Sequence, residues 1–514
     1  MPSEEADHPL HIVMVSSEAV PFSKTGGLAD VVGALAPELA KLGHDVYLII
    51  PRHRLTEART FSFEEFARLT VPTVMGEIET VVELVKNGSG RGTRGKLTIL
   101  TLRFDRYFDR AGLYQEAGRD YQDNLERFSF FCRAAMEILL ILVRQNSWIS
   151  AVLHLHDWQA ALCAVYLKTL YASYTELRRV RSVLTLHNLG YQGIFPAGEF
   201  PKTGLPNALF ATPSLEYYGS VNLLKGGIVF ADLLTTVSPT YSQEIQTAEY
   251  GLGLEGVLAE KKEILHGILN GIDIDTWNPA TDRYLSSHYS ATELAGKGIC
   301  KIHLQREFQL RQGGTLLIGI IARLTTQKGI DLVLDIIPDL MEMEVQLVIL
   351  GAGDEDYVNR FDPIVRQYSG RIGFREGFDE GLAHRIEAGA DLLLMPSRYE
   401  PCGLSQMYSL RYGTVPVVRK TGGLADTVVP CTPRNIQKQR ATGFVFTDAV
   451  PASLLNAVML ASMFYERRSN WQVIMQAGMN TDNSWKRSAT AYADLFTHLA
   501  RHQDFEMSEK VKDR

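Results

Sequence analysis

One heptapeptide, KTGGLAD, stands at residues 24–30 and again at 420–426. Each copy puts a lysine and two adjacent glycines between a strand-like run and a helical pattern. The chemistry this permits is anion binding. Paired glycines let backbone N–H groups approach an anion closely, a following helix N-terminus adds partial positive charge, and the lysine supplies a compact cation. Neither copy is a G-x-G-x-x-G fingerprint or a Walker loop, so dinucleotide-cofactor and ATPase readings lose ground; a plain tight turn is the competing reading. The flanking sequences differ, so the repeat is not strong evidence of a duplicated gene. Two similar domains, each presenting a glycine loop to a shared cleft, would suit an enzyme of two substrates that binds a donor phosphate.

Other candidates follow strands. Arg323 and Lys328 lie five residues apart in ARLTTQKG, and Glu400 follows DLLLMPS in YEPCGLSQ. His187 ends SVLTLH, and His156 with Asp157 ends AVLHLHD. Open α/β sheets bind ligands beyond the carboxyl ends of their strands, where all of these fall. Cys402 has no neighbour that marks an activated thiolate.

The elements that must position them alternate between strand and helix. HIVMVSS (11–17) reads as a buried strand, and Leu28, Val31, Val32, Leu35, Ala36, Leu39 and Leu42 form one face of a helix that ends at Gly43. Strand-like runs follow at 45–50, 96–102, 151–156, 182–187 and 233–238. A second series begins near HGILNG (266–271) and continues at 315–322, 345–351, 391–397 and 414–419, with a division around 255–265. Both halves read as α/β with mainly parallel sheets. The 514 residues carry 52 basic and 59 acidic side chains, a balance without the electrostatic footprint of a nucleic-acid binder. No apolar run reaches the roughly 18 residues of a membrane span. MPSEEADHPL resembles neither a signal nor a transit peptide, and the five cysteines form no CxxC pair. These features predict a cytoplasmic protein without membrane or nucleic-acid partners, disulfides or structural zinc.

Across nearly its whole length the chain resembles the bacterial glycogen synthases and their starch synthase relatives. The resemblance rests on KTGGLADVVGALA, HLHDWQAAL, TLHNLGYQGIF, LLKGGIVFADLLTTVSPTY, LNGID with WNP, ARLTTQKGIDL, LGAGD, PSRYEPCGLSQMYSLRYGTVPVVRKTGGLADTV and GFVF. It implies a GT-B fold, with two Rossmann-like parallel-sheet domains (1–260 and 261–485) facing each other across a deep cleft. Residues 486–514 are then a helix returning to the N-terminal domain plus a charged tail. It further implies retaining transfer of glucose from ADP-glucose to the non-reducing end of an α-1,4-glucan such as glycogen. Other nucleotide-sugar donors, notably UDP-glucose, and a silent glucan-binding homologue are the alternatives.

The resemblance also assigns residues. Arg323 and Lys328 match the phosphate-binding pair, and Glu400 the glutamate facing the donor sugar and reacting centre. The N–H groups of Cys402, Gly403 and Leu404 match further sugar contacts, and His187 the histidine beside the donor glucose. Lys24, with Gly26 and Gly27, matches the donor-binding loop; Asp30 and Asn270 match further donor-site positions. Tyr121 falls near acceptor and donor sugar, Asp157 on the acceptor side or in a structural role. Phe378 falls where some relatives stack an aromatic ring on adenine, with Phe here in place of Tyr. Thr421 and Gly422 are placed near the diphosphate. The strings DID (273–275) and DED (354–356) resemble metal-binding pairs of another glycosyltransferase fold. Because Arg323 and Lys328 already neutralise a leaving diphosphate, the aspartates are read as loop residues, and neither metal nor cofactor is expected.

Overall fold

The computed structural model describes residues 9–54, 56, 61–86 and 95–512, with side chains as far as residue 501. Most of the acidic N-terminal segment lies outside the described residues. The chain forms two compact units, one of Met1–Val237, Ser242–Ile268 and Trp485–Arg514, the other of Ser238–Tyr241 and Leu269–Ser484.

The first unit is built on a nine-stranded sheet. Its strands are β1 (His11–Val15), β2 (Asp45–Pro51), β3 (Phe63–Thr73), β4 (Gly76–Val85), β5 (Lys96–Arg103), β6 (Ala151–His156), β7 (Val180–Leu186), β8 (Leu233–Thr236) and β9 (Leu265–Gly267). They lie in the order β9-β8-β7-β6-β1-β2-β5-β4-β3. Residues 12–15 of β1 are fully buried, as an apolar run covered on both faces must be. Helix α1 (Gly27–Lys41) buries its expected apolar stripe, and Gly43 follows it at φ +110°, a left-handed stop open to glycine.

Two features differ from the sequence reading. HGILNG does not open the second series: β9 pairs in parallel with β8, so it closes the first sheet. The antiparallel β3–β4 hairpin was not expected, because one of its faces is solvated and its sequence reads as polar.

The last helix, Trp485–Lys512, belongs to this unit. Trp485, Ala489, Tyr492, Ala493 and Phe496 recur at helical spacing and are buried in one cluster with Leu28, Val32, Leu35 and Leu39 of α1.

The second unit holds six parallel strands: β10 (Leu316–Ile321), β11 (Val345–Gly351), β12 (Ile372–Glu376), β13 (Leu392–Met395), β14 (Val415–Arg419) and β15 (Phe444–Phe446). Their order is β12-β11-β10-β13-β14-β15, the arrangement of doubly wound nucleotide-binding sheets. Successive connections leave β10 in opposite directions, which opens a crevice at the carboxyl ends of β10 and β13. In the first sheet the same reversal falls between β1 and β6.

Phe496→Ala empties a fully buried ring position in the α1 cluster. It is expected to destabilise the first unit by about 3–5 kcal/mol, read as a lower denaturant midpoint.

Candidate active site

In the second unit, the residues that follow β10 and β13 meet. Arg323 is exposed just past β10 and directs Nη2 to Gln327 Oε1 at 3.4 Å. Lys328 ends a single 3-10 turn, and its Nζ lies 2.5 Å from Glu400 Oε2, beyond β13. Ser397 Oγ donates to the same carboxylate oxygen at 2.9 Å. Gly329 makes this approach possible: it sits at φ +70°, and a Cβ there would be 2.2 Å from the Pro396 carbonyl oxygen. The lysine and glutamate, 72 residues apart in the chain, are therefore one ion pair at the switch point.

The second KTGGLAD copy underlies this loop. Gly422 adopts φ +41°, and a Cβ on it would be 2.0 Å from the Glu400 carbonyl oxygen. A Cβ on Gly423 would be 2.0 Å from the Cys402 carbonyl oxygen. The Gly423 N–H donates to the Glu400 carbonyl at 3.1 Å. Thr421 is fully buried within this unit. Asp426 accepts from the Thr240 N–H at 3.0 Å and the Thr240 hydroxyl at 2.6 Å. This copy is a support for the Glu400 loop.

Cys402 is buried, and burial pushes its thiol up to about 12 despite a hydrogen bond from the Asn270 backbone. It is a packing residue, and Asn270 is its neighbour. Gly403 at φ +74° would meet Gln406 Oε1 at 2.4 Å with a Cβ added, and Leu404 caps helix Ser405–Arg411. Phe378 stands beyond β12 and is 84% exposed, a ring face open to stacking. Asp273 accepts from the N–H groups of Asp275 and Thr276, each at 3.0 Å, as a turn aspartate does. Asp354 precedes helix Glu355–Gln367 as its N-cap residue.

In the first unit, the loop after β1 carries the first KTGGLAD copy. Lys24 Nζ meets Asp30 Oδ1 at 2.7 Å, on the surface. Gly26 and Gly27 begin α1, and a Cβ on either would meet nothing within 4 Å. These glycines leave open space beside a helix N-terminus, whereas the second pair is packed shut. Glu18, which sequence reasoning missed, organises the loop: its carboxylate accepts from the Thr25 N–H at 2.5 Å, the Thr25 hydroxyl at 2.8 Å and Tyr114 Oη at 2.8 Å. Burial raises its pKa against the pull of those hydrogen bonds. The signal was a lone acid directly behind an apolar strand. Tyr121 accepts from the Gly112 N–H at 3.2 Å, and the Arg110 and Arg127 guanidinium carbons lie 4.7 and 5.0 Å from its ring centroid.

β6 and β7 deliver the histidines. His156 Nδ1 is 3.0 Å from His187 Nε2, and Asp157 Oδ1 accepts the His187 backbone N–H at 2.7 Å. Burial pushes Asp157 up to about 7 and His187 down to about 3. Asp157, at φ +56°, has its carboxylate on the backbone of the neighbouring strand's end.

Two predictions follow from these contrasts. Gly26→Ala and Gly27→Ala are expected to leave stability within about 0.5 kcal/mol. Gly422→Ala and Gly423→Ala should each cost about 1–3 kcal/mol in a denaturant titration, because a methyl must displace backbone. The second concerns acid. His53 is held near 4, His154 and His187 near 3, all by burial, so each resists a proton that the unfolded chain takes up below about 6.5. Their stabilisation is full above that value and is lost as pH falls through the folded pKa. Asp157, raised by burial, acts oppositely: its contribution is full below the ordinary carboxylate value and lost as pH rises through about 7. His156 is lowered by burial as well, and Glu18 and Glu387 are raised; the four histidines outweigh the three acids, so the urea midpoint should fall between pH 7 and pH 5.

Comparison with known proteins supplies the family. A model described as the starch synthase catalytic domain matches residues 11–260, and one described as glycosyl transferases group 1 matches 302–472. The chain is 45% identical over 493 residues to a glycogen synthase of Anaeromyxobacter dehalogenans, covering 96% of this chain and 100% of that protein. It is 44% identical over 495 residues to a glycogen synthase of Thermotoga petrophila, covering 95% and 98%. The catalytic domain of starch synthase IV from Arabidopsis thaliana, solved bound to ADP and acarbose, superposes with a TM-score of 0.85 at 33% identity over 96% of this chain and 100% of that one. A sucrose-phosphate synthase from Thermosynechococcus elongatus, 16% identical with a TM-score of 0.57 and covering 95% and 99%, shares the fold alone. The strand orders, the residues gathered at both switch points and these likenesses place the chain in the glycogen and starch synthase family of GT-B glycosyltransferases.

Proposed function

We propose that this glycosyltransferase moves glucose from ADP-glucose to the 4-hydroxyl at the non-reducing end of an α-1,4-glucan, keeping the α configuration and extending glycogen. The observation that carries the reading is the convergence of Arg323, Lys328 and Glu400 at the switch point of the second sheet.

The reaction breaks the bond between the anomeric carbon and the diphosphate oxygen, and charge develops on the departing ADP. Fixed cations aimed at that charge lower the barrier. Lys328 is already held at 2.5 Å from a carboxylate, so its ammonium is positioned before a diphosphate arrives. Arg323, exposed beside it, supplies the second charge. With two cations on the leaving group, the reading needs no metal or cofactor. Glu400 would turn to the sugar hydroxyls, and Phe378 to the adenine. Acceptor O4 attacks on the face the diphosphate leaves, and its proton passes to a diphosphate oxygen. This reaction has no covalent glycosyl–enzyme step: no aspartate or glutamate is assigned as its nucleophile, unlike the paired carboxylates of retaining glycosidases.

Within the first unit, Lys24 and the open Gly26–Gly27 loop are suited to a phosphate, and His187 to a sugar hydroxyl. Excluding water from the bound donor would protect an otherwise hydrolysable sugar nucleotide. Among the described residues no helix is long and apolar enough to cross a membrane; a cytoplasmic setting is part of the proposal.

Incubation with glycogen and each labelled nucleotide-glucose, with and without a chelator, tests the reading. Transfer from ADP-glucose, undiminished by chelation, is expected; transfer only from UDP-glucose, or glucan binding with no ADP release, would replace it. Arg323→Ala and Lys328→Ala should each lower kcat by about 10²–10³, equivalent to about 2.7–4 kcal/mol of transition-state stabilisation.

A further inference from the structure

The carboxyl ends of β6 and β7 carry a buried polar row. Parallel register sets His156 beside Thr185 and His154 beside Val183. His154 Nε2 meets Thr185 Oγ1 at 2.7 Å, and Thr185 Oγ1 meets Thr235 Oγ1 of β8 at 2.6 Å. One step further along, His156 Nδ1 meets His187 Nε2 at 3.0 Å. His154, His156, Thr185 and Thr235 are all 0% exposed. Asp157, the next residue, holds the His187 backbone. Consecutive residues at one strand end thus grip His187 twice, by its ring and by its main chain.

Two neutral imidazoles at hydrogen-bond distance must divide their roles: one nitrogen carries the proton and the other offers a lone pair. Burial keeps these rings neutral, lowering His156 well below and His187 to about 3. The far nitrogen of His156, Nε2, is enclosed and has no hydrogen-bonding partner among the described residues. If His187 were the donor, the His156 proton would sit on that enclosed Nε2 as an orphaned N–H. If His156 is the donor, only a bare lone pair is left there. Orphaned buried N–H groups are the rarer arrangement, and an unsatisfied buried donor bears its full desolvation cost.

We infer that His156 is a positioning residue: it donates Nδ1–H to His187 Nε2 and so fixes His187 as the Nδ1–H tautomer, whose open edge is a hydrogen-bond donor to substrate. The tautomer of a histidine is set by the bond its other nitrogen makes. With Nε2 occupied, His187 has no lone pair for proton abstraction, which agrees with an acceptor proton that leaves on the diphosphate. The catalytic consequence rests on the assignment of His187 to the sugar site; the tautomer itself does not.

The test uses the full chain labelled with 15N-histidine. Two-bond 1H–15N correlation, with His187 assigned by the signals lost in His187→Gln, is expected to show Nδ1 protonated and Nε2 bare. A proton on Nε2 of His187 in the unsubstituted protein overturns the inference. Kinetics supply the second arm. His156→Asn keeps an amide N–H near the Nδ1 position, and His156→Leu removes it. Losing such an outer partner typically costs about 10–100-fold. His156→Leu should therefore lose about that much, carried by kcat more than by the donor KM, while His156→Asn recovers most of it at a similar melting temperature. Equal turnover by folded His156→Leu and His156→Asn would overturn the positioning role. Should His156→Leu fail to fold, the tautomer measurement on the unsubstituted chain decides. Because that measurement needs no turnover, absence of glucosyl transfer would sink the proposed reaction without touching it.

Discussion

The contact on which the second unit's chemistry depends is the ion pair between Lys328 and Glu400. An enclosed lysine and carboxylate offset their loss of hydration only with good geometry and further hydrogen bonds. Here the separation is 2.5 Å and Ser397 adds a second donor to the same oxygen. The pair exists because β10 and β13 are neighbours, in register from Ile318 with Leu392, although 70-odd residues of helix and strand separate them in the chain. Gly329 then lets the turn after β10 close on the Pro396 carbonyl. A cation held in place before its ligand arrives needs little reorganisation during the reaction, which is where electrostatic catalysis draws its strength.

The repeated heptapeptide shows how one string serves two physical ends. In the first copy the glycines open onto empty space at a helix start, and the aspartate pairs with the lysine at the surface. In the second copy the glycines are pressed against the backbone of residues 400–402, and the aspartate caps the turn at Thr240. The first is suited to admit a ligand and the second to hold another loop still. What differs is the neighbour that each fold brings to the glycine, and no inspection of seven letters reveals it.

Burial divides the two strand-end sites by charge. The second unit gathers full charges in Arg323, Lys328 and Glu400. In the first, His154 and His187 are kept neutral by desolvation and Asp157 is raised to about 7. Uncharged rings suit the orientation of a neutral sugar, and fixed charges suit a diphosphate. That division agrees with the proposed reaction.

Much of the architecture was legible in the chain itself. Buried parallel strands read as continuous apolar runs, and α1 announced itself by its stripe and by Gly43, since side-chain period and glycine's left-handed freedom are local properties. The family motifs marked Arg323, Lys328, Glu400 and His187, each just beyond a strand. Contacts between distant segments were not legible. β9 reads the same whichever sheet it joins, and the β3–β4 hairpin has a solvated face that hides its period. Glu18 looks like any loop acid until Thr25 and Tyr114 close around it. His156 looks like a strand-end histidine until β7 sets His187 at its Nδ1. Sequence alone determined which residues could do chemistry and which elements carry them, because those depend on residue type and period. Only the tertiary structure decided which lysine meets which glutamate, which glycine is open and which ring holds which, because strand order sets those distances.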